Sequence, residues 1–503
     1  VRRALSLVFA IVWTATLRSA TLPETVFEPL WDDAFAFLAT ESAFPSFARS
    51  TQPVSAPELR RVTENAQPTT ALTRELLKRL VAPTRRVGDG FYGGFSTELR
   101  SRPEQSPRAL PAFRAALRYG DALYQEWDIA PASERDEPVA GGETASRRVR
   151  PWNPKGVFGG EGYVADFRRT FLRLPVGSLS VTLGRQAFRW GPGYTGNLLL
   201  SDASPPLDGV SMSGQFGKVR GTVVFAALNT TWHDDGTRRY LARRYFAAHR
   251  LDWVPSPRLE IGVMDAVLYG GDARPMEWHY LNPVLPFYAS QFNAGNDANP
   301  DFQDDNALIG FDARWNPRPG WALYGELLFD DYRYDPKSND PHALAYLAGI
   351  HRTGIAERGE ARMEYARVGR YTYTHLVPEQ QYTHFGASLG YPTGNDADCL
   401  STAGAWWLTP DARVSVEYRQ TRKGDSGVDE RFRGEADTSF LKGVAETRRE
   451  LTIAGRLRCA NRLRLDGSAT ARQVRNRDHI AGDNATRWQV RGGVAYEFSV
   501  GGR

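Results

Sequence analysis

From Ala412 to the C-terminus the chain alternates apolar and charged residues with a period of two. Val414, Val416 and Tyr418 alternate with Arg413, Ser415, Glu417 and Arg419, and Leu451, Ile453 and Leu457 with Thr452, Arg456 and Arg458. Val490, Val494, Tyr496 and Phe498 alternate with Arg491, Glu497 and Ser499. Successive side chains of a strand point to opposite faces, so these are strands with one greasy and one charged face. After Gly88 no convincing helix is found, and the pattern predicts about 18 strands. AALRYGDALYQEW counts as one of them and YTHFGASLGY as another.

The connections sort by length. LPVGS, GKVR, VPSPR and NPRPG read as tight turns, whereas segments 190–209, 229–243, 270–304, 332–342 and 422–447 are long. Short turns at one rim and long loops at the other describe an outer-membrane barrel better than a soluble sandwich. The rhythm of short and long changes phase between residues 350 and 400, which implies a merged or missed strand there. The expected fold is an all-β transmembrane barrel with a small N-terminal helical module.

Residues before Gly88 read differently. VRRALSLVFAIVWTATLRSA has the plan of a secretory signal peptide: Arg2 and Arg3, an apolar run, then Ser19 and Ala20 near a cleavage point. FEPLWDDAFAFLATESAF is apolar at helical spacing. Ser55 and Glu58 form a capping box around Pro57, and TTALTRELLKRLVAP reads as a further helix. The expected division is a signal peptide over 1–20, a periplasmic helical module over 21–86 and an outer-membrane barrel over 87–503. A module this small lacks a robust core of its own and should pack against or into the barrel.

Composition narrows the class. Thirteen Trp and 21 Tyr suit both interfacial girdles and sugar-stacking surfaces. A formal charge of +5, without a basic block, excludes a nucleic-acid partner. The two cysteines, Cys399 and Cys459, fall at opposite rims of an up-and-down sheet and are expected to be free thiols. The charged faces carry Glu260, Glu326, Arg362, Glu364, Arg413, Glu417, Arg419, Arg456, Arg458, Arg464, Asp466, Arg491 and Glu497. Mixed signs favour cross-strand ion pairs in a lumen that is closed or narrow.

Two segments could carry recognition chemistry. LGRQAFRWGPGYTGNLLLSDASPP leaves a strand at Arg189 and Trp190, where Trp190 could stack on a sugar and Arg185 or Arg189 pair an acidic group. The alternative is a girdle Trp beside a structural turn. The long aromatic loop places Trp278, Tyr280 and Phe287 among Asn282, Asp304 and Asp305, which suits a polyol ligand. The same aromatics could instead fold that loop into the barrel as a plug. Asp304–Asp305 and Asp330–Asp331 read as solvated rim charges before they read as catalytic pairs. The eight His do not cluster at metal spacing, and no nucleophile-elbow, HExxH or P-loop motif occurs, so no cofactor, metal or catalytic residue is expected.

Several strings, taken in order, are similar to the bacterial capsule-assembly Wzi family. They are the Ser-Ala-Pro-Glu helix start, LSVTLGRQAFRWGPGYTGNLLLSDASPP, RLEIGVMDAVLYGG, YLNPVLPFYASQF and DDNALIGFDARWNPRPGWALYGELLFDDY. They cover roughly residues 25–335; later strands agree in architecture more than in motif. The resemblance implies an 18-stranded outer-membrane barrel, a periplasm-side helical module and lectin-like capsule binding by outer loops. It implies no catalytic motif. The chain departs from the family at its end, where Gly501, Gly502 and Arg503 follow Val500, leaving Phe498 to supply the assembly signal. The expected function is non-enzymatic binding or organisation of capsular polysaccharide by a monomer in outer-membrane lipid. A porin or transporter for small polar solutes is the alternative, and a membrane-embedded hydrolase the third reading.

Overall fold

The computed structural model describes residues 29–500 except 42–43, 45–47, 55, 87–89, 103–104, 120–121, 132–162, 235, 288–304, 332–340, 376, 431, 433, 435–436 and 460–462. The expected signal peptide, Ser55 of the capping box and Asp304 lie outside the described residues. Helices come first: α1 (Pro29–Thr40), α2 (Ala56–Glu64) and α3 (Ala71–Arg86). At the start of α3, Thr70 and Thr73 cap each other, each hydroxyl accepting the other's backbone N–H at 3.1 and 2.8 Å.

The wall is made of β2 (Gly90–Arg102), β3 (Gln105–Tyr119), β4 (Leu123–Pro131), β5 (Tyr163–Val176), β6 (Leu179–Gln186), β8 (Leu207–Phe216), β9 (Val219–Ala227), β11 (Arg239–Ser256) and β12 (Leu259–Gly271). It continues through β13 (Asn306–Trp315), β14 (Trp321–Asp331), β15 (Ala343–Ile355), β16 (Gly359–Val368), β19 (Ala397–Thr409), β20 (Ala412–Lys423), β21 (Glu446–Cys459), β22 (Leu463–Arg475) and β23 (Ala485–Val500). Not part of this ring are β1 (Thr51–Gln52) paired with β7 (Arg189–Trp190), β10 (Thr231–Asp234), and the small hairpin β17 (Thr383–His384)–β18 (Ala387–Ser388).

Each wall strand pairs antiparallel with its chain neighbours, and β23 returns to β2 in register from Phe91↔Val500 to Ser101↔Val490. Of the 19 strands in this sheet among the described residues, β10 pairs only with β11, so 18 close the ring. The expected strand number is therefore reached, through two compensating errors. AALRYGDALYQEW is not one strand but the end of β3, a turn and the start of β4. YTHFGASLGY is not a wall strand; it lies within the 369–396 connection and forms only the β17–β18 hairpin. Removing that strand restores one phase of short and long connections from β3 to the end of the chain; only the tight β2–β3 turn departs from it.

Alternation sets the two faces. Val414, Val416, Tyr418, Leu451, Ile453, Val490 and Val494 are exposed on the outside, while Glu260, Asp312, Glu326, Glu364 and Arg413 are buried inside. Cys399, near the long-loop rim, and Cys459, near the other, are free thiols. The helices pack into the lumen at the tight-turn end. Phe37, Leu38, Phe44, Leu59, Leu76 and Leu80 form one core with Trp407 of β19. Thr40 O accepts the Gly320 N–H at 2.9 Å, Thr353 donates to Glu41 at 2.5 Å, and Glu58 pairs with Arg220 at 3.0 Å.

Candidate functional site

At the opposite end two long connections turn inward. In the 191–206 segment the backbone N–H groups of Gly193 and Leu198 and the Asn197 amide donate to Glu326 at 3.0, 2.7 and 2.7 Å. Glu364 accepts from Tyr194 N, Thr195 N and Tyr324 Oη at 2.6, 2.7 and 2.9 Å. Lumenal carboxylates thus stand in for the missing strand partners of a buried loop. Gly191 has φ +128°, and a Cβ there would sit 2.4 Å from Glu326 Oε1, so the close approach needs glycine.

The 369–396 segment packs on the first. Tyr382 Oη donates to Leu199 O at 2.7 Å, Tyr373 Oη to Leu198 O, and Ser201 N to Leu389 O at 2.8 Å. Arg244 holds the carbonyls of Glu379, Gln381 and Thr383 at 2.9, 2.5 and 2.9 Å. Trp190, Leu198, Leu199, Phe246, Leu268, Tyr373, Tyr382 and Tyr391 share one core inside the ring. Burial, then the charge of Arg244, pushes His384 down to about 3, so its ring is neutral and Nδ1 accepts the Asn229 N–H at 3.2 Å. Farther out, the 424–445 loop is held by Glu430 paired with Arg370 and, at 2.9 Å, with Lys442. Burial works to raise the Glu430 carboxyl, but hydrogen bonds from Arg370, Lys442 and Ser426 outweigh it and hold it at about 2.

The two fillings meet. β1 pairs with β7, placing Thr51 opposite Trp190, and Gly191 N donates to Ser50 O at 2.7 Å. Beneath this seam Arg250 bridges Asp252 and Asp312 at 2.7 and 2.6 Å, with all three side chains fully buried. Thr51 adds a 2.6 Å bond to Asp252, and Ser50 N donates to Glu260 at 2.9 Å. The lumen is therefore occupied from both rims by one continuous column. Its charges do form ion pairs, as expected, but many serve the inserted segments and not only adjacent strands.

The expected site residues separate. Trp190 is fully buried, so its ring has no face at the rim for a sugar; it is a core residue of the column. Arg185 forks onto its cross-strand neighbour Asp208 at 2.8 and 2.5 Å, and Arg189 donates to Gly193 O at 2.7 Å. Neither the open sugar cradle nor the plug describes the described part of the aromatic loop. It folds back over the outside of the barrel. Tyr280 and Phe287 pack on Tyr269, Phe225, Ala247 and Val267, positions sharing the outward face with exposed Leu251 and Val263.

Asp305 is not a solvated rim charge: it is buried, takes both Arg274 guanidinium nitrogens at 2.6 and 2.9 Å, and accepts Tyr280 Oη at 2.5 Å. Burial, then the Asp305 charge, holds the Tyr280 phenol far above its usual range, as a donor. Asp330 is buried too and accepts the Tyr373 N–H at 2.5 Å. On this flap Trp278 is 74% exposed, in a 3-10 turn over Trp278–Leu281, and Asn282 is exposed with its Oδ1 accepting Val284 N at 3.2 Å.

Two exposed aromatics escaped the sequence reading. Trp232 stands on β10 under Arg239, 4.8 Å from guanidinium carbon to ring centre, and Phe385 tips the β17–β18 hairpin at φ +49°. Phe385 was hidden by being read as mid-strand, and Trp232 by the polar run that follows it. Among the described residues no group of three or more His, Cys, Asp and Glu could hold a metal ion.

The family model described as capsule assembly protein Wzi matches residues 81–488. The chain belongs to the Wzi capsule-assembly family. A relative from Klebsiella pneumoniae, described as an uncharacterized 55.8 kDa protein in the cps region, is 25% identical over 321 residues. That match spans 60% of this chain and 56% of the relative. Among solved structures, Wzi of Escherichia coli, described as an outer-membrane protein involved in group 1 capsule assembly and a carbohydrate-binding β-barrel, superposes with TM-score 0.65 at 16% identity. It covers 96% of this chain and 99% of its own. Pseudomonas aeruginosa OprD has TM-score 0.44 at 9% identity, over 83% of this chain and 98% of its own.

Proposed function

We propose that the chain is an outer-membrane barrel that binds or organises capsular or other surface polysaccharide at its long-loop rim, without catalysis. The observation that carries this reading is the column filling the lumen from both rims, which leaves the outer surface as the working face. Family membership and the carbohydrate-binding description of the E. coli relative support it. Residues 1–20 act as an export signal, 21–86 as a module on the periplasmic side, and 87–503 as the barrel. The exposed outward Val, Leu and Ile side chains meet outer-membrane lipid, whose core is about 30 Å thick. A ring that closes on itself leaves no sheet edge to pair, consistent with a monomer. Of the rim residues, Trp278 and Phe385 offer exposed rings for sugar stacking, with Asn282 as an amide partner beside Trp278.

The test measures binding of purified capsular polysaccharide to the protein in detergent, together with capsule retention on cells. Trp278→Ala and Phe385→Ala together should reduce both, with the barrel still resisting SDS when unheated. Unchanged binding and retention would remove these rings from the function. Large stable conductance of the wild-type protein in planar bilayers would favour the porin reading instead.

A further inference from the structure

A cavity of about 230 Å³ lies in the lumen where the helices and the inserted loop meet, bounded by α1, β1, the turn after Trp190 and the inner face of β13–β16. Its lining holds five arginines, Arg49, Arg189, Arg314, Arg362 and Arg456, against one acid, Asp33. The nearby carboxylates are already engaged. Asp33 pairs with Arg413 at 3.0 Å and with Arg456. Glu360 takes Arg413 at 2.7 Å and His351 at 2.9 Å. Glu364 receives the donors of the inserted loop, and Glu260 that of Ser50.

Among the described residues Arg189, Arg314 and Arg362 form no direct salt bridge with a carboxylate, although Glu360 and Asp33 act on Arg362 at longer range. Arg189 donates to the Gly193 carbonyl at 2.7 Å. Arg314 donates to Thr40 Oγ1 at 2.7 Å, while its Nε is buried without a partner. Arg362 lies 3.9 Å over the Tyr194 ring and 3.3 Å from His351 Nε2. Two more donors on the lining, Arg49 Nε and Ser50 Oγ, are likewise buried and unpartnered, and Arg49 and Arg314 are each more than nine-tenths buried. Guanidinium groups held from water without a counter-charge are costly, and planar N–H forks match the geometry of an oxyanion.

We propose that this cavity is a binding site for a small oxyanion, a carboxylate or a phosphate, which completes the junction between the helices and the inserted loop. Arg314 and Arg362 supply the charge, Arg189 closes the loop side, and Ser50 Oγ adds a neutral donor. Sugar acids and phosphate share this chemistry. The site is separate from the exposed rings of the rim, so it stands whether or not those bind polysaccharide.

The test is calorimetric titration of the full-length protein in detergent with inorganic phosphate and with glucuronate, at matched ionic strength, with glucose as neutral control. Saturable binding of at least one anion at one site per chain, and none of glucose, is expected. Phosphate alone, glucuronate alone or both would each support the site and identify which oxyanion it prefers. Arg314→Gln and Arg362→Gln should each weaken binding by about tenfold or more, since each removes a charge-assisted hydrogen bond. Arg362→Lys, keeping the charge, should lose less, and Trp278→Ala nothing. Should the buried variants fail to fold, the half-buried Arg189→Gln carries the same expectation. No saturable binding to the wild type, or binding that survives every arginine variant, would overturn the proposal.

Discussion

Asp33 is the hinge pin of the helical filling, and its removal has a calculable consequence. Arg413 on β20 and Arg456 on β21 are directly opposite in register, a like-charge pair that destabilises a sheet by itself. Asp33 of α1 reaches between them, binding Arg413 at 3.0 Å and Arg456 as well. Asp33→Asn keeps the shape but leaves two facing guanidiniums, of which Arg413 retains Glu360 at 2.7 Å while Arg456 retains no ion pair among the described residues. Breaking a buried pair from one side costs about 3–5 kcal/mol. The Arg456 side chain is 32% exposed, which argues for the lower end, about 3 kcal/mol. That is roughly a hundredfold in the undocked population of α1. Trypsin cleavage after Arg49, which is buried and donates to the α1 carbonyl Ala39 O at 2.9 Å, reads this population in native protein in detergent when opening equilibrates faster than cutting. The cleavage rate should rise about a hundredfold, and Arg456→Gln added to Asp33→Asn should recover about 1 kcal/mol or more through relieved repulsion. A rate within about threefold of wild type, or strictly additive variants, would refute the bridging role.

Three further outcomes follow from the same geometry. Glu326→Ala unpairs three buried donors of the 191–206 segment, at about 1–3 kcal/mol each, and should release the loop so that conductance appears in planar bilayers where the wild type is silent. Tyr280→Phe removes a 2.5 Å bond to the Asp305 carboxylate and should loosen the outer flap by about 1.5–3 kcal/mol, seen as faster proteolysis of 272–287 in an otherwise intact barrel. His384 is depressed from 6.5 to about 3, so above pH 6.5 folded and opened states are both neutral and stability is flat. Below that the opened state binds the proton first, and the β17–β18 hairpin should lose about 1.4 kcal/mol per pH unit towards pH 3. Hydrogen exchange of residues 382–389, corrected for intrinsic rates, should show this, and His384→Asn should flatten it.

The wall was legible because a barrel repeats one rule many times: Val414, Val416 and Tyr418 out, Arg413 and Glu417 in. The helices were legible from apolar spacing, although α3 runs on through Pro83 to Arg86. What failed were loop segments whose partners lie far away in sequence. YTHFGASLGY alternates like a strand, yet Tyr382 and Leu389 point into the column and Arg244 occupies the carbonyls a neighbouring strand would use. The Gly-Pro turn after Trp190 looks like solvent chain. It is buried because Glu326 and Glu364, on β14 and β16, supply the acceptors that water would have supplied. Asp305 looked like rim charge because its fork partner Arg274 stands 31 positions away, across a long connection.

One signal for the outer flap was nonetheless present. On the outward face of the wall, where neighbours are Leu251 and Val263, β11 carries His249 and β12 carries Asp265. Ionisable groups on the lipid side of a barrel cost stability in proportion to their depth, so such a pair is tolerated only near the rim or under cover. Here it is covered. His249 pairs with Asp265 at 3.2 Å, the Phe287 ring lies 4.1 Å from the imidazole, and Phe287 N donates to Asp265 at 3.0 Å. The polar pair and the aromatic loop therefore explain each other: the loop needs an anchor on the wall, and the pair needs cover on a face that is otherwise apolar. Outward polar residues on a wall strand, read together with an aromatic-rich connection that follows it, predict a loop folded outside a barrel and not above it.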